Sequence, residues 1–264
     1  MSRCSLMSTA AAIAETDRAR LLAELKARIA APVATGASLL AFGIETIDAR
    51  LGQGGLDGGG LHEIAAASPT LGDDAAATLF LAGIAARFAQ SPAASVAWAL
   101  TRFDLYAPGL EQAGLPPAKL LYAEGRDEVM ALALAEDCLR DGSFAAVVAE
   151  VKVADQTATR RLQLAAADGR TPMLLLRRWA RAARDPLDVP SSAMTRWRIG
   201  CAPSVPLPHP GVGRSCWSVE LVRQRGGNPF SLIVEACDGK GRLAPSAPAP
   251  SRAAAADGAD RRAA

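Results

Sequence analysis

The sequence predicts an α/β fold, with a mostly parallel sheet flanked by helices, an N-terminal helix before it and a C-terminal β-hairpin after it. Three observations carry this. Short apolar runs alternate with helix-length stretches between Leu61 and Leu176, which implies parallel strands covered on both faces. Two further β-rich runs flank Gly226–Gly227–Asn228–Pro229, a turn signal. Half of the 264 residues are hydrophobic, enough for one large core.

Each element has its own warrant. Residues 9 to 30 have high helix propensity, with Ile13, Leu21, Leu22, Leu25 and Ile29 near helical spacing, and Pro32 ends the run. Gly43 to Leu51 reads as a short amphipathic helix, and the glycines from 52 to 60 as a tight turn into a strand at Leu61 to Ala65. A loop from Ala66 to Gly72 leads to a helix from Asp73 to about Phe88. Strands follow at Ser95–Leu100, Lys119–Ala123, Phe144–Glu150 and Met173–Leu176. Between them, Asp104–Leu115 is a polar loop with a short helix. Arg126–Asp141 is a helix with Val129, Leu132, Leu134, Ala135 and Leu139 inward, and Gln156–Asp168 is another. Thr195–Ala202 reads as a strand, 203 to 214 as a Pro/Gly loop, and Ser215–Arg225 with Phe230–Cys237 as the hairpin. From Ala244 the composition turns low-complexity, the signature of disorder. The expected organisation is therefore 1–34 helix and linker, 35–243 core, and 244–264 tail.

Strand, loop, helix at Leu61–Phe88 is the setting of a Walker A phosphate loop, but the chemistry is missing. With Gly72 as its second glycine, Asp73 replaces the lysine that holds the β/γ-phosphates and Asp74 the hydroxyl that holds Mg²⁺, in a loop that begins at Ala66. Both carboxylates would be stabilised at a helix N-terminus by about 0.3–1 kcal/mol each, and both would repel a triphosphate. The plain reading is a capped helix; a Mg²⁺-bridged phosphate site is the alternative. No lysine lies between Lys26 and Lys119 to supply the missing ammonium, and Arg87 is about four turns along the helix.

Glu124 and Glu150 fall at the C-terminal ends of two strands, where such sheets bind ligands. They are either catalytic acids of an NTPase or strand ends that turn polar as they surface. The one basic stretch, Arg177 to Arg198, interleaves tryptophans with Arg177, Arg178, Arg181, Arg196, Trp197 and Arg198. It suits either DNA contact through phosphates and base stacking, or a solvated face tied down by its tryptophans.

Bulk properties exclude little but usefully. A net charge of +2 argues neither for nor against nucleic acid. Five widely spaced cysteines and two histidines make a zinc site or a disulfide framework a poor fit, and reduced thiols the expectation. No apolar run spans a membrane, so a cytoplasmic protein is expected.

Several stretches together resemble a known family. GIETIDARLGQGGLDGGGLHEIAAAS, Gly43 to Ser68, resembles the opening of a RecA-type core. TRWRIGCAPS (Thr195–Ser204) followed by CWSVELVRQRGGNPFSLIVEACD (Cys216–Asp238) is similar to ImuA proteins, which are RecA-like and SulA-related. The likeness runs over about residues 35 to 243 and implies a RecA-like core. It also implies a role in SOS mutagenesis beside ImuB, an inactive Y-family polymerase homologue, with contact to RecA and an indirect link to an error-prone C-family polymerase. The helix at 9–30 would face RecA or a neighbouring core, and the hairpin and tail (215–264) would face ImuB. The resemblance implies no catalytic residue and no cofactor. The expected function is a non-catalytic adaptor; a divergent ATPase of the recombinase type and a SulA-like division inhibitor are the alternatives.

Overall fold

The computed structural model describes residues 39–180, 184–205, 207 and 209–246. The expected N-terminal helix, Arg181 and residues 247–264 lie outside them. A nine-stranded sheet forms the centre, in the order β11-β10-β9-β8-β3-β7-β6-β4-β5. Its parallel part comprises β3 (Leu61–Ala66), β4 (Val96–Leu100), β5 (Leu120–Glu124), β6 (Ala146–Val151), β7 (Met173–Arg177) and β8 (Thr195–Ala202). β9 (Cys216–Gln224), β10 (Phe230–Glu235) and β11 (Ala244–Pro245) extend it antiparallel from β8. A separate two-stranded pair joins β1 (Leu39–Leu40) to β2 (Leu56–Asp57) around the short helix α1 (Glu45–Asp48).

Helices cover both faces of the parallel part. On one face α2 (Leu71–Phe88) and α3 (Ala107–Gln112) pack with Phe80, Leu81, Trp98, Val148, Leu174, Leu176 and Trp197 in the larger core. On the other, α4 (Glu128–Asp141) and α5 (Gln156–Gly169) cover Leu61, Ala97, Val147, Ala149 and Leu175. The strands of these two sets alternate residue by residue, as the period of two requires. Strands apolar on both faces leave no wet side, so only a parallel, doubly covered sheet accommodates them.

Helix ends follow local chemistry. The Asp127 and Asp155 side chains accept the backbone N–H of Met130 and Ala158 and start α4 and α5. Gly142, at φ +69°, ends α4 in the left-handed region that favours glycine. At α2 the cap is Thr70, so the helix starts at Leu71, two residues before the expected Asp73.

Two further expectations need correcting. Val129 is exposed rather than inward, because it lies off the stripe that faces the sheet; Ala131, Ala135, Glu136 and Leu139 supply the buried stripe. Ala244, expected to open the tail, is instead a strand residue paired with Glu235, so that boundary falls inside the sheet.

Candidate functional site

The loop after β3 and the first turn of α2 form the centre of the site. β8 passes close against this loop. A Cβ added at Gly200 would lie 2.9 Å from the Ala67 Cβ, so glycine permits the approach. Two of the loop's backbone groups are taken by the protein itself. Ala67 donates its N–H to the Ile199 carbonyl at 2.7 Å, and the Trp179 indole donates to the Ala66 carbonyl at 2.9 Å. In a phosphate-cradling loop, such N–H groups would point at the ligand.

Asp73 is held from two sides. It accepts the Ser68 hydroxyl at 2.5 Å and the Cys201 N–H at 2.7 Å. Cys201 in turn has its thiol pushed up, by burial first and by the Asp73 charge second, so it is a poor nucleophile there. Asp74 takes a different partner. Its carboxylate meets the Arg178 guanidinium at 2.6 Å, and Arg178 also reaches Glu150 at 2.8 Å and the Thr78 hydroxyl at 2.9 Å. Glu150 accepts the Trp98 indole N–H at 2.7 Å with its other oxygen. Burial works against the Arg178 charge, but Glu150 and Asp74 outweigh it and raise its pKa. A guanidinium thus bridges the first turn of α2 and the end of β6, on the α2 face of the sheet.

A second network lies on the opposite face. Glu63, in mid-β3 and 0% exposed, pairs with Arg177 at 3.0 Å and with Arg196 at 2.6 Å. Arg177 also donates to the Ala154 carbonyl, and Arg196 to that of Val189. Burial pulls the Arg177 guanidinium below its usual range, with Glu63 opposing it. Farther along β8, Arg198 meets Asp185 and Glu220, each at 2.6 Å.

These placements divide the basic stretch. Arg177 and Arg196 are buried in ion pairs, and Trp197 is fully buried with its indole N–H on the Thr195 hydroxyl. None of the three has a face to offer a phosphate or a base, which corrects the DNA-contact expectation for them. Arg178 and Arg198 are partly buried and engaged with carboxylates, and Arg181 lies outside the described residues. Glu124 is exposed at the end of β5 and shares no contact with Glu150, so the structure does not bring the two carboxylates together. Among the described residues no group of three or more His, Cys, Asp or Glu could hold a metal ion, and Cys138, Cys201, Cys216 and Cys237 are free.

Sequence reasoning missed Glu63, Trp98, Asp185 and Glu220. Glu63 was open to discovery, because a carboxylate inside an apolar strand must find a buried cation. The tilt of Trp98 toward Glu150 has no such signal.

Fold and site together define an α/β protein on a parallel sheet, whose strand–loop–helix junction is acidic and neutralised from within. No known family model matches the chain. Over 207 residues it is 41% identical to protein ImuA of Caulobacter vibrioides, in two strains, an alignment covering 76% of this chain and 85% of the relative. The chain belongs to the ImuA family. A solved structure, SulA from Pseudomonas aeruginosa, is 24% identical and covers 44% of this chain and 96% of its own, but its TM-score of 0.37 is too low to bear on fold or function. Among the described residues no helix is long and apolar enough to cross a membrane.

Proposed function

We propose that this chain is a non-catalytic, RecA-like adaptor of an SOS-induced translesion-synthesis complex. It recruits an ImuB-type polymerase homologue, contacts RecA, and acts on the error-prone C-family polymerase only through that assembly. Membership of the ImuA family ties it to the SOS mutagenesis system.

The observation that carries the adaptor reading is the Arg178 bridge. A nucleotide-binding site of this layout needs a cation and a hydroxyl free for phosphate and Mg²⁺. Here Asp73 and Asp74 stand in those positions, Asp74 and Glu150 are both taken by Arg178, and Asp73 is taken by Ser68 and Cys201. A triphosphate would meet carboxylates and would have to displace an internal guanidinium. A surface for partners is also at hand. Leu71, Phe103, Tyr106, Val129 and Val153 are exposed on the segments that follow β3, β4, β5 and β6, all at the carboxyl end of the parallel strands.

Calorimetric titration with Mg·ATP, beside a phosphate-release assay, tests the reading. It expects neither heat nor phosphate. Micromolar binding with turnover would replace the adaptor with a divergent ATPase.

A further inference from the structure

The parallel end of the sheet finishes on β5, LLYAE, with no strand beyond it among the described residues. Natural edges of this kind are blunted by an inward charge, a proline, a bulge or a covering element. Among the described residues β5 has none of these along Leu120–Ala123, and its one charge, Glu124, sits at the last position. Which groups face outward follows from the ladder. The Gly125 N–H donates to the Leu100 carbonyl, while Leu100 pairs with Glu124, so the odd-numbered backbone groups face β4. Leu120, Tyr122 and Glu124 therefore turn theirs to the open side. Among the described residues, only the Leu120 N–H is used there, by the Pro117 carbonyl.

An aromatic patch lies beside this edge. Phe103 meets Tyr122 edge-on, with centroids 4.6 Å apart, and Phe103 is exposed. Exposed aromatic residues are enriched at the centre of interfaces.

We propose that β5 is the self-pairing edge of a symmetric dimer, in which a second copy adds its own β5 antiparallel across a two-fold axis at Tyr122. That register is the one the outward groups allow. Tyr122 faces Tyr122 of the partner subunit with both backbone bonds made. Each Glu124 N–H meets the Leu120 carbonyl opposite, which the Pro117 contact leaves open. The two Glu124 charges are four residues apart along the ladder, about 13 Å, so no like charges face each other. The aromatic pairs of the two copies meet at the axis.

An edge of five residues with one aromatic patch falls at the small end of specific interfaces, so the dimer is weak.

Sedimentation velocity of the full chain from about 1 to 100 µM, the range for a small interface, tests the proposal, using wild type, Tyr122→Pro and Phe103→Asp. Proline at 122 removes an outward N–H and leaves the β4 ladder intact. Aspartate at the exposed 103 sets like charges against each other at the axis without touching the core, and decides the matter if the proline variant does not fold. A concentration-dependent dimer weakened at least tenfold in Phe103→Asp, with its melting temperature little changed, is the expected result. A wild type that stays monomeric throughout, whether or not another protein takes the edge, overturns the proposal. So does a dimer that neither variant weakens.

Discussion

Replacing Glu63 with glutamine isolates the energetics of the buried network. The side chain keeps its shape and loses its charge, which leaves Arg177 and Arg196, 1% and 7% exposed, without a counter-charge. Among the described residues, Glu63 is the only carboxylate either arginine pairs with. The remaining contacts of the two guanidiniums, the Ala154 and Val189 carbonyls, are neutral. Removing one partner of a buried pair costs about 3–5 kcal/mol. For a chain of this size each kcal/mol lowers Tm by about 2–4 °C, so the variant is expected to melt roughly 6–20 °C below wild type. Thermal melting and urea unfolding measure this, the urea midpoint falling while the slope is unchanged. The exposed Arg102–Asp104 pair is the comparator, because Arg102→Ala is expected to change stability by less than about 1 kcal/mol. A Glu63→Gln variant within about 2 °C of wild type would mean the triad is not balanced as described. Replacing Glu63, Arg177 and Arg196 together by apolar residues of similar volume should recover most of the loss, since the burden is desolvation rather than missing contacts.

Trp197→Ala removes a fully buried indole that packs on Phe42, Phe80 and Phe230, and should cost about 3–5 kcal/mol in urea unfolding; near-normal stability with altered DNA binding would point instead to an exposed, stacking role. His62 gives a pH signature. It is buried and its pKa is lowered, by desolvation first, against the Asp57 carbonyl, which raises it. The unfolded chain therefore binds the proton more readily, and stability present above pH 6.5 falls as the pH drops below it, by up to about 1.4 kcal/mol per unit. His62→Gln should flatten that slope between about pH 6.5 and 5 in urea midpoints, and an unchanged slope would assign the effect elsewhere. Restoring the motif with Asp73→Lys and Asp74→Thr should lower Tm, because the Cys201 N–H loses its acceptor and Arg178 one of its two carboxylates. It should also leave Mg·ATP binding undetectable by calorimetry, and micromolar binding by this variant would show that Arg178 does not obstruct the site.

Much of the fold was legible because it rests on local periodicity. Continuous runs such as Ala146–Val151 and Met173–Arg177 can only be strands buried on both sides, and Asp127, Asp155 and Gly142 mark helix ends where capping chemistry places them. β11 was not legible, since two residues ending in Pro245 carry no pattern and gain their strand geometry only from Val234 and Glu235. In the site, the sequence located the loop and its two aspartates, which are adjacent in the chain. It did not reveal their partners, because Arg178 is 104 residues from Asp74 and 28 from Glu150. The basic stretch misled for the same reason. Arg177, Arg178, Arg196 and Arg198 look like one surface in sequence, but the sheet puts Arg178 on the α2 face and Arg177, Arg196 and Arg198 on the other, and each finds a carboxylate there.

Arg178 also bears on how the proposed adaptor would be controlled. In a nucleotide switch, the charge joining the phosphate loop to a strand-end carboxylate comes and goes with the ligand, and the surrounding segments order and disorder with it. Here that charge belongs to the chain. Arg178 joins the first turn of α2 to the end of β6, and its pKa, raised by Glu150 and Asp74, keeps the guanidinium charged throughout the neutral range. The exposed Leu71 and Val153 are carried on the segments leading out of those two joined points, so in the proposed adaptor the carboxyl-end surface would keep one state with or without nucleotide. A ligand that has no differential affinity for two states of a protein cannot shift it between them. Affinity for the polymerase homologue should therefore be the same with and without Mg·ATP, and Arg178→Ala, by freeing Asp74 and Glu150 to repel, should weaken that affinity at neutral pH more than in high salt. Partner binding measured by surface plasmon resonance across ATP and salt concentrations checks both. A nucleotide-dependent affinity in the wild type would mean that the bridge opens, and that the loop is a switch after all.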